Sequence, residues 1–349
     1  MIKDFIRGKE GFFALDIGST AIRVLEVGSS KGAVKLSKYG FSVIDSNLSD
    51  ITNATSRQYL SEIIKSTIRE SGIKSRNVVM APPSSFVIQK VVEIKRQSDL
   101  ELEKIFREQF MKREAKDGKM NFDYHVIGPS PSSDGKDSIL LTAVSRKIIN
   151  EQSKMLKSIG LSLVAVEPES IAVTRAILAK DQTDFELVVN IKDFATDLFI
   201  VSEGVPYLTQ TAAFGAGLLV GMLQQNLKID TITAQKYIAD YGLNPEIMNG
   251  QIVAAASPAI QHFIDAICRI GNMFSNKYLN NPVVRIVLAG YGASIPRLAE
   301  TIHDQIGLPV EIADPWRNMS ITDKEKAELA TVAPHFITTI GLSEREGIL

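Results

Sequence analysis

The chain has 349 residues, of which 45% are hydrophobic and 23% are charged, and its formal net charge is -1. This length is more than one hydrophobic core usually supports, so we expect two lobes or more. The balanced charge gives no overall field for attracting nucleic acid, and the single cysteine, Cys268, excludes an internal disulfide. Because Cys268 lies in an apolar helical run from Ile264 to Ile270, we predict a buried, inert thiol.

Membrane, export and metal signals are missing from the sequence. No apolar run approaches the roughly 20 residues needed to span a bilayer. The first ten residues lack the long apolar core of a signal peptide. The four histidines are scattered without metal-ligand spacing. We therefore expect a cytoplasmic protein without nucleic acid among its partners.

The two halves of the chain open with the same pattern of three apolar strands: residues 12–27 and 33–39 in the first half, and residues 186–201 and 205–211 in the second. Aligning the halves pairs Asp16 with Asn190 and Gly18 with Lys192. Strands that are this continuously apolar usually lie in the middle of a sheet. The repeat therefore predicts two homologous α/β lobes, with a cleft between them that suits a ligand.

Amphipathic segments predict helices between these strands, at residues 56–72, 148–159, 231–241, 254–279 and 295–306. One segment breaks the alternation, with strands at 86–94, 122–127 and 139–144 and a charged helix at about 99–116. We predict a first lobe of residues 1–77 and 146–182, an inserted subdomain of residues 78–145, and a second lobe of residues 183–349 with a helical part at about 218–281.

The turn Asp16-Ile-Gly-Ser-Thr20 carries the clearest chemical signal. Such a turn offers backbone N–H groups and hydroxyls to a phosphate, and an aspartate at a strand end can hold Mg²⁺ through water. Gly18 matters because a side chain there would block the phosphate. The motif alone also fits an ordinary hairpin. Its place at the head of a duplicated lobe favours the phosphate-loop interpretation.

Several segments resemble, in the right order, the FtsA/PilM-like family of actin-like ATPases: residues 16–27, 78–90, 121–128, 160–176 and 288–294. The likeness runs from about Phe12 to Leu342 and is closest to the PilM members, which assemble type IV pili. It implies an α/β actin-like (sugar kinase/Hsp70/actin) fold of two duplicated lobes with an inserted 1C-type subdomain. It also implies an ATP site, with Mg at Asp16, made of Asp16, Gly18, Ser19, Thr20, Arg23, Asn190, Lys192, Thr196, Gly215, Gly217, Gln235, Gly290, Tyr291 and Gly292.

Departures from the family pattern weaken the expected chemistry. The second phosphate loop has Asn190 and Lys192 where the family has aspartate and glycine, so a carboxylate and a close backbone approach are both lost. Tyr291 separates the two glycines of the adenosine turn, and Gln235 and Ile238 replace a charged pair on the nucleoside helix. Phosphoryl transfer depends on positioned metal and charge. We expect weak nucleotide binding and slow or absent hydrolysis.

The resemblance further implies a scaffold of the type IV pilus or type II secretion inner-membrane platform. Its partner would be the N-terminal cytoplasmic tail of a PilN-like membrane protein, alongside other platform proteins, and the chain would reach the inner membrane only through that partner. The expected docking groove lies between the first lobe and the subdomain and uses Val87, Ile88, Val91, Val92 and Ile94. The alternatives are an active actin-like ATPase switch and an FtsA-like filament former.

Overall fold

The computed structural model describes residues 11–30, 33–106, 119–179 and 181–345. Its first sheet contains β1 (Phe12–Ile17), β2 (Ala21–Ser30), β3 (Ala33–Val43), β4 (Asn77–Met80) and β8 (Ser162–Val166). Their order across the sheet is β3-β2-β1-β4-β8. The first three strands form an antiparallel meander, while β4 runs parallel to β1 and β8 parallel to β4.

The second sheet contains β9 (Phe185–Ile191), β10 (Thr196–Ser202), β11 (Val205–Ala212), β12 (Val283–Ala289) and β13 (Val310–Ile312). Their order is β11-β10-β9-β12-β13, again an antiparallel meander followed by two parallel strands. The two sheets therefore share one topology, and the duplication predicted from the sequence is confirmed.

The central strands are buried on both faces, as their unbroken apolar runs predict. Every residue of β9 and β10 is buried. Alternate side chains of β9 enter different cores, with Val189 in one cluster and Val188 in another. A parallel strand with helices on both sides of its sheet needs this continuous apolar pattern.

A separate antiparallel sheet follows β4. It contains β5 (Val87–Lys95), β6 (Met120–Pro129) and β7 (Lys136–Ser145), in the order β5-β7-β6. Helix α2 (Asp99–Ile105) covers one face; the rest of the predicted charged helix, residues 107–116, lies outside the described residues. The predicted start of the insertion at residue 78 falls inside β4, which pairs with β1 and β8, so a boundary after Met80 fits the sheets better.

The remaining α-helices of the described residues are α1 (Ala54–Ser71), α3 (Arg146–Ser158), α4 (Glu169–Ile177), α5 (Ala216–Leu227), α6 (Thr231–Asp240), α7 (Gln251–Lys277), α8 (Leu298–Ile306), α9 (Asp323–Leu329) and α10 (Ile337–Ser343). Helix α1 begins where the Asn53 side chain accepts a hydrogen bond from the Thr55 amide at 2.8 Å. It ends at Gly72, whose φ of 70° suits glycine. None of the described helices is long and apolar enough to cross a membrane.

Helices α4 and α10 follow the last strand of each sheet and pack against each other between the two sheets. The contact is backbone to backbone, because a Cβ atom on Gly341 would lie 1.8 Å from the carbonyl oxygen of Ala172. Helix α10 also packs against β1 and β2 of the first sheet. Helix α10, although it comes from the second half of the sequence, thus completes the hydrophobic core of the first lobe.

The predicted burial of Cys268 is wrong. Helix α7 buries one stripe, which includes Phe263, Ile267 and Ile270, against the second sheet. Cys268 follows Ile267 by one residue, a rotation of about 100° around the helix, and its side chain is exposed.

Candidate functional site

The two hairpin turns that head the duplicated lobes face each other. In the first, the Gly18 amide donates to the Ala21 carbonyl at 2.9 Å. In the second, the Lys192 amide donates to the Ala195 carbonyl at 3.1 Å. The turns have the same register, as aligning the two halves predicts, and Asp193 therefore corresponds to Ser19.

A cleft of about 360 Å³ lies between these turns and is lined by residues of both lobes. Eight of the predicted nucleotide-site residues line it: Asp16, Gly18, Ser19, Arg23, Asn190, Lys192, Gly290 and Tyr291. The other six do not line it, although Thr20 donates a hydrogen bond to Asp193, which does. Gln235 is exposed on α6, and the buried Thr196 donates its hydroxyl to the Phe214 carbonyl at 2.9 Å.

Asp16, the predicted metal ligand, forms an ion pair with Arg23 on the neighbouring strand β2. Arg23 lies opposite Asp16 in the β1–β2 ladder, and its Nη1 donates to Asp16 Oδ2 at 2.9 Å. A Cβ atom on Gly18 would lie 2.7 Å from the same guanidinium nitrogen. Gly18 therefore makes room for Arg23, and Arg23 engages one of the two carboxylate oxygens of Asp16.

Asp193 connects the lobes, although the sequence prediction did not include it. Its carboxylate accepts hydrogen bonds from the hydroxyls of Ser19 at 3.2 Å, of Thr20 and of Tyr291. Ser19 and Thr20 belong to the turn predicted to bind phosphate, and Tyr291 belongs to the turn predicted to bind adenosine. The alignment of Asp193 with Ser19 was the available signal, because it places an acid opposite a hydroxyl-rich loop.

Lys192 forms ion pairs with two carboxylates that line the cleft. Its Nζ lies 3.0 Å from Glu169 Oε2 and 2.7 Å from Asp197 Oδ2. Burial opposes the charged form of Lys192, yet the two carboxylates outweigh it and raise its pKa. Burial likewise opposes ionisation of Asp197, but Lys192 and hydrogen bonds from Thr211 and Ser84 lower its pKa. Lys192 and Asp197 are therefore both charged at neutral pH.

Asn190 and Glu169 complete this network from neighbouring elements. Asn190 Nδ2 donates to Glu169 Oε1 at 3.1 Å, and the hydroxyl of Thr338 on α10 donates to the same oxygen at 3.1 Å. Glu167, two residues before Glu169, instead forms a bidentate pair with Arg175, at 2.6 and 2.8 Å. The two glutamates point to different partners, which argues against a catalytic carboxylate pair.

A stacked ring pair covers the turn predicted to bind adenosine, with one ring from the turn and the other from the segment before α10. The Tyr291 ring stacks on His335 with centroids 4.7 Å apart and an angle of 6° between the planes. Burial, together with the charge and hydrogen bond of Asp193, raises the pKa of Tyr291. Burial, reinforced by Arg23, lowers the pKa of His335 to about 4, so its ring is neutral at pH 7.

The glycines near the cleft lie against residues at the end of β9 and in the turn that follows it, where a side chain would not fit. Cβ atoms on Gly290 and Gly292 would lie 2.3 Å from the Ile191 carbonyl oxygen and from Ile191 Cγ2. A Cβ atom on Gly215 would lie 2.3 Å from the Asp193 carbonyl oxygen, and one on Gly217 would lie 3.0 Å from the Phe194 ring. Each glycine lets another segment approach the turn after β9.

These residues do not fit a magnesium–nucleotide in this arrangement. The cleft is lined by four carboxylates and two cations: Asp16, Glu169, Asp193 and Asp197, with Arg23 and Lys192. This excess of negative charge disfavours a polyphosphate. Among the described residues, no group of three His, Cys, Asp or Glu side chains could hold a metal ion. Eight of the fourteen predicted site residues thus line one cleft, where Asp16 pairs with Arg23 and Lys192 pairs with Glu169 and Asp197.

Most of the side chains of β5, the strand predicted to bind a partner, pack inside the protein. Val91 is buried in the core of the second lobe, while Val92 and Ile94 pack against the cluster beneath α2. Val87 lines a small polar cavity between β5, α4 and β11. Ile88 is 48% exposed and remains available at the surface. Val91 therefore has no surface to offer a peptide in this arrangement.

Two lobes of identical topology, closing over a cleft between matched hairpin turns, define a protein of the actin-like class. A family model described as "Type IV pilus assembly protein PilM" matches residues 14–346. The chain belongs to this PilM family. The resemblance expected from the ordered segments is thereby confirmed.

Solved structures share the fold. A PilM–PilN type IV pilus biogenesis complex matches with a TM-score of 0.82 and 19% identity, covering 98% of this chain and 100% of that one. The ethanolamine utilization protein EutJ from Carboxydothermus hydrogenoformans matches at 0.57 with 13% identity, covering 97% and 91%. MreB5 of Spiroplasma citri, bound to AMPPNP, matches at 0.52 with 16% identity, covering 88% and 92%. The predicted actin-like fold is confirmed.

Proposed function

We propose that this chain is a scaffold of the type IV pilus inner-membrane platform, which binds the N-terminal cytoplasmic tail of a PilN-like membrane protein. The observation that carries the proposal is the PilM-family match over residues 14–346. The match over 98% of this chain to a chain of a PilM–PilN complex supports the choice of partner. Recruitment to the inner membrane, and contacts with other platform proteins, would follow through that partner.

We propose that the tail docks at the beginning of β5, beside the first lobe. Ile88 offers an apolar contact there, on the strand that leaves the first lobe. An extended tail that places an apolar side chain against Ile88 would suit this position.

Replacing Ile88 with aspartate is expected to weaken binding of a PilN-like tail peptide at least tenfold, because a buried apolar contact would become an unpaired charge. Calorimetry with the peptide and the whole chain measures the effect. Ile232→Asp is the matched control, since Ile232 is 78% exposed on α6 in the second lobe. Equal affinity of the Ile88→Asp variant and the native chain would exclude this docking site, while failure of the native chain to bind any such tail would reject the partner.

We further propose that ATP hydrolysis is lost or weak and is not needed for the scaffold role. Asn190 cannot supply the carboxylate that would position metal or water, and Lys192 is held by Glu169 and Asp197. A turnover assay with MgATP is expected to give a rate no higher than background. Turnover that disappears in an Asp16→Asn variant would instead favour the alternative of an active ATPase switch.

A further inference from the structure

The turn between β9 and β10 fills the positions at which the cleft offers hydrogen bonds to an anion. On the first-lobe side, the hydroxyls of Ser19 and Thr20 donate to the carboxylate of Asp193. On the second-lobe side, the hydroxyl of Tyr291, in the turn after β12, donates to the other oxygen of that carboxylate. One side chain of the second lobe thus receives three donors, two of which belong to the first lobe.

The same turn uses the amides at the start of α5. The Ala216 amide donates to the Lys192 carbonyl at 3.0 Å, and the Gly217 amide donates to the Asp193 carbonyl at 2.8 Å. Free amides at a helix N-terminus would otherwise attract an anion. Gly215 allows this contact, since a Cβ atom there would lie 2.3 Å from the Asp193 carbonyl oxygen. The backbone of the turn is thereby fixed on the second lobe while its carboxylate reaches the first.

From this geometry we propose that Asp193 is a built-in anionic ligand of the first phosphate loop, which keeps the two lobes closed without a nucleotide. A polyphosphate must break three hydrogen bonds to a charged acceptor before it can enter. It must also approach Glu169 and Asp197, which share the cation of Lys192 in the described part of the chain. Closure of the lobes is then a fixed property of this chain and does not respond to nucleotide.

The distance between the lobes tests the proposal directly. Cys268 is exposed on α7 of the second lobe, and Lys65→Cys adds an exposed thiol on α1 of the first. Spin labels at both positions give the distribution of distances by pulsed electron paramagnetic resonance. We expect a narrow distribution that MgATP leaves unchanged, and a broader, longer one in the Asp193→Ala variant. Asp304→Ala, which removes an exposed acid on α8, is the control and is expected to change nothing.

A second variant removes the same contacts from the opposite lobe. Ser19→Ala combined with Thr20→Val leaves the second-lobe turn intact and is expected to broaden the distribution as Asp193→Ala does. Calorimetry with pyrophosphate should show no saturable binding to the native chain at concentrations at least about tenfold above those that saturate the Asp193→Ala variant, because a competing internal ligand is removed. Unchanged distances in both variants, or native lobes that move on addition of MgATP, would overturn the proposal. Equal pyrophosphate affinity in the native and Asp193→Ala proteins would overturn it as well.

Discussion

Replacing Lys192 with methionine is expected to lower the free energy of unfolding by about 3 kcal/mol. The variant keeps the unbranched stem of the side chain up to the position of Cε but leaves the carboxylates of Glu169 and Asp197 without a cation. Both are buried, with Asp197 only 1% exposed. The loss should fall at the lower end of the range for broken buried pairs, since a third of the Lys192 side chain (33%) faces the cleft and water can replace it. Urea denaturation of the variant and the native chain gives the difference.

The pH dependence of this loss identifies its cause. In the native chain the pKa of Asp197 is lowered from its ordinary value of 3.8, so its stabilising contribution is present above that value and declines in acid. Without Lys192, burial would raise the pKa of Asp197, and protonation would then relieve the variant as the pH falls. The difference between native and variant should shrink from about pH 7 to about pH 5. Lys154→Met, on an exposed pair with Glu151, should cost well under 1 kcal/mol at either pH. A loss that is the same at both pH values would contradict the ion-pair explanation.

The main features of the fold could be predicted from the sequence because strand periodicity is a local signal. The paired runs around Asp16 and Asn190 indicated two equivalent meanders, and the sheets have that common topology. Boundaries were less predictable. Residues 78–80 are apolar, so the sequence alone fits them either to the end of β4 or to the start of the inserted segment. Only the pairing of β4 with β1 and β8 assigns them to β4.

The composition of the cleft was predicted better than its internal contacts. Asp16 and Lys192 do lie together, because the ends of equivalent strands meet between duplicated lobes. The partner of Ser19, however, is 174 residues away in the chain, and no local pattern encodes such a contact. The glycines illustrate the same limit. A glycine marks a close approach, but the sequence does not say whether a phosphate or, as at Gly290, a neighbouring carbonyl makes it.

The exposure of single residues was the least predictable property. Cys268 and Val91 both lie in apolar segments, yet Cys268 is exposed and Val91 is buried. In a helix or strand with two differently packed faces, one position of shift reverses the environment of a side chain. An apolar segment therefore indicates a helix or a strand, but it does not indicate which of its residues a partner or a reagent can reach.

Replacing Gly341 with alanine is expected to destabilise the chain by about 3 kcal/mol, since the core would have to absorb a methyl group where it has no space. The added Cβ would lie 1.8 Å from the carbonyl oxygen and 3.0 Å from the Cα atom of Ala172. Both are backbone atoms that no rotamer change can move. Helices α4 and α10 would therefore have to separate, and thermal or urea denaturation measures the loss.

Gly271→Ala provides the matched control, because it makes the same substitution inside α7, where the new methyl group meets no atom within 4 Å beyond its chain neighbours and the adjacent backbone of its own helix. That change should stabilise the chain by about 0.5–1 kcal/mol through the better helix propensity of alanine, so the two variants should move in opposite directions. Separation of α4 and α10 should also reach the cleft, since Glu169 begins α4 and Thr338 on α10 donates to it at 3.1 Å. Spin-label distances between the lobes would then broaden in Gly341→Ala but not in Gly271→Ala. A neutral Gly341→Ala variant would contradict the backbone contact on which the relative position of the two sheets depends.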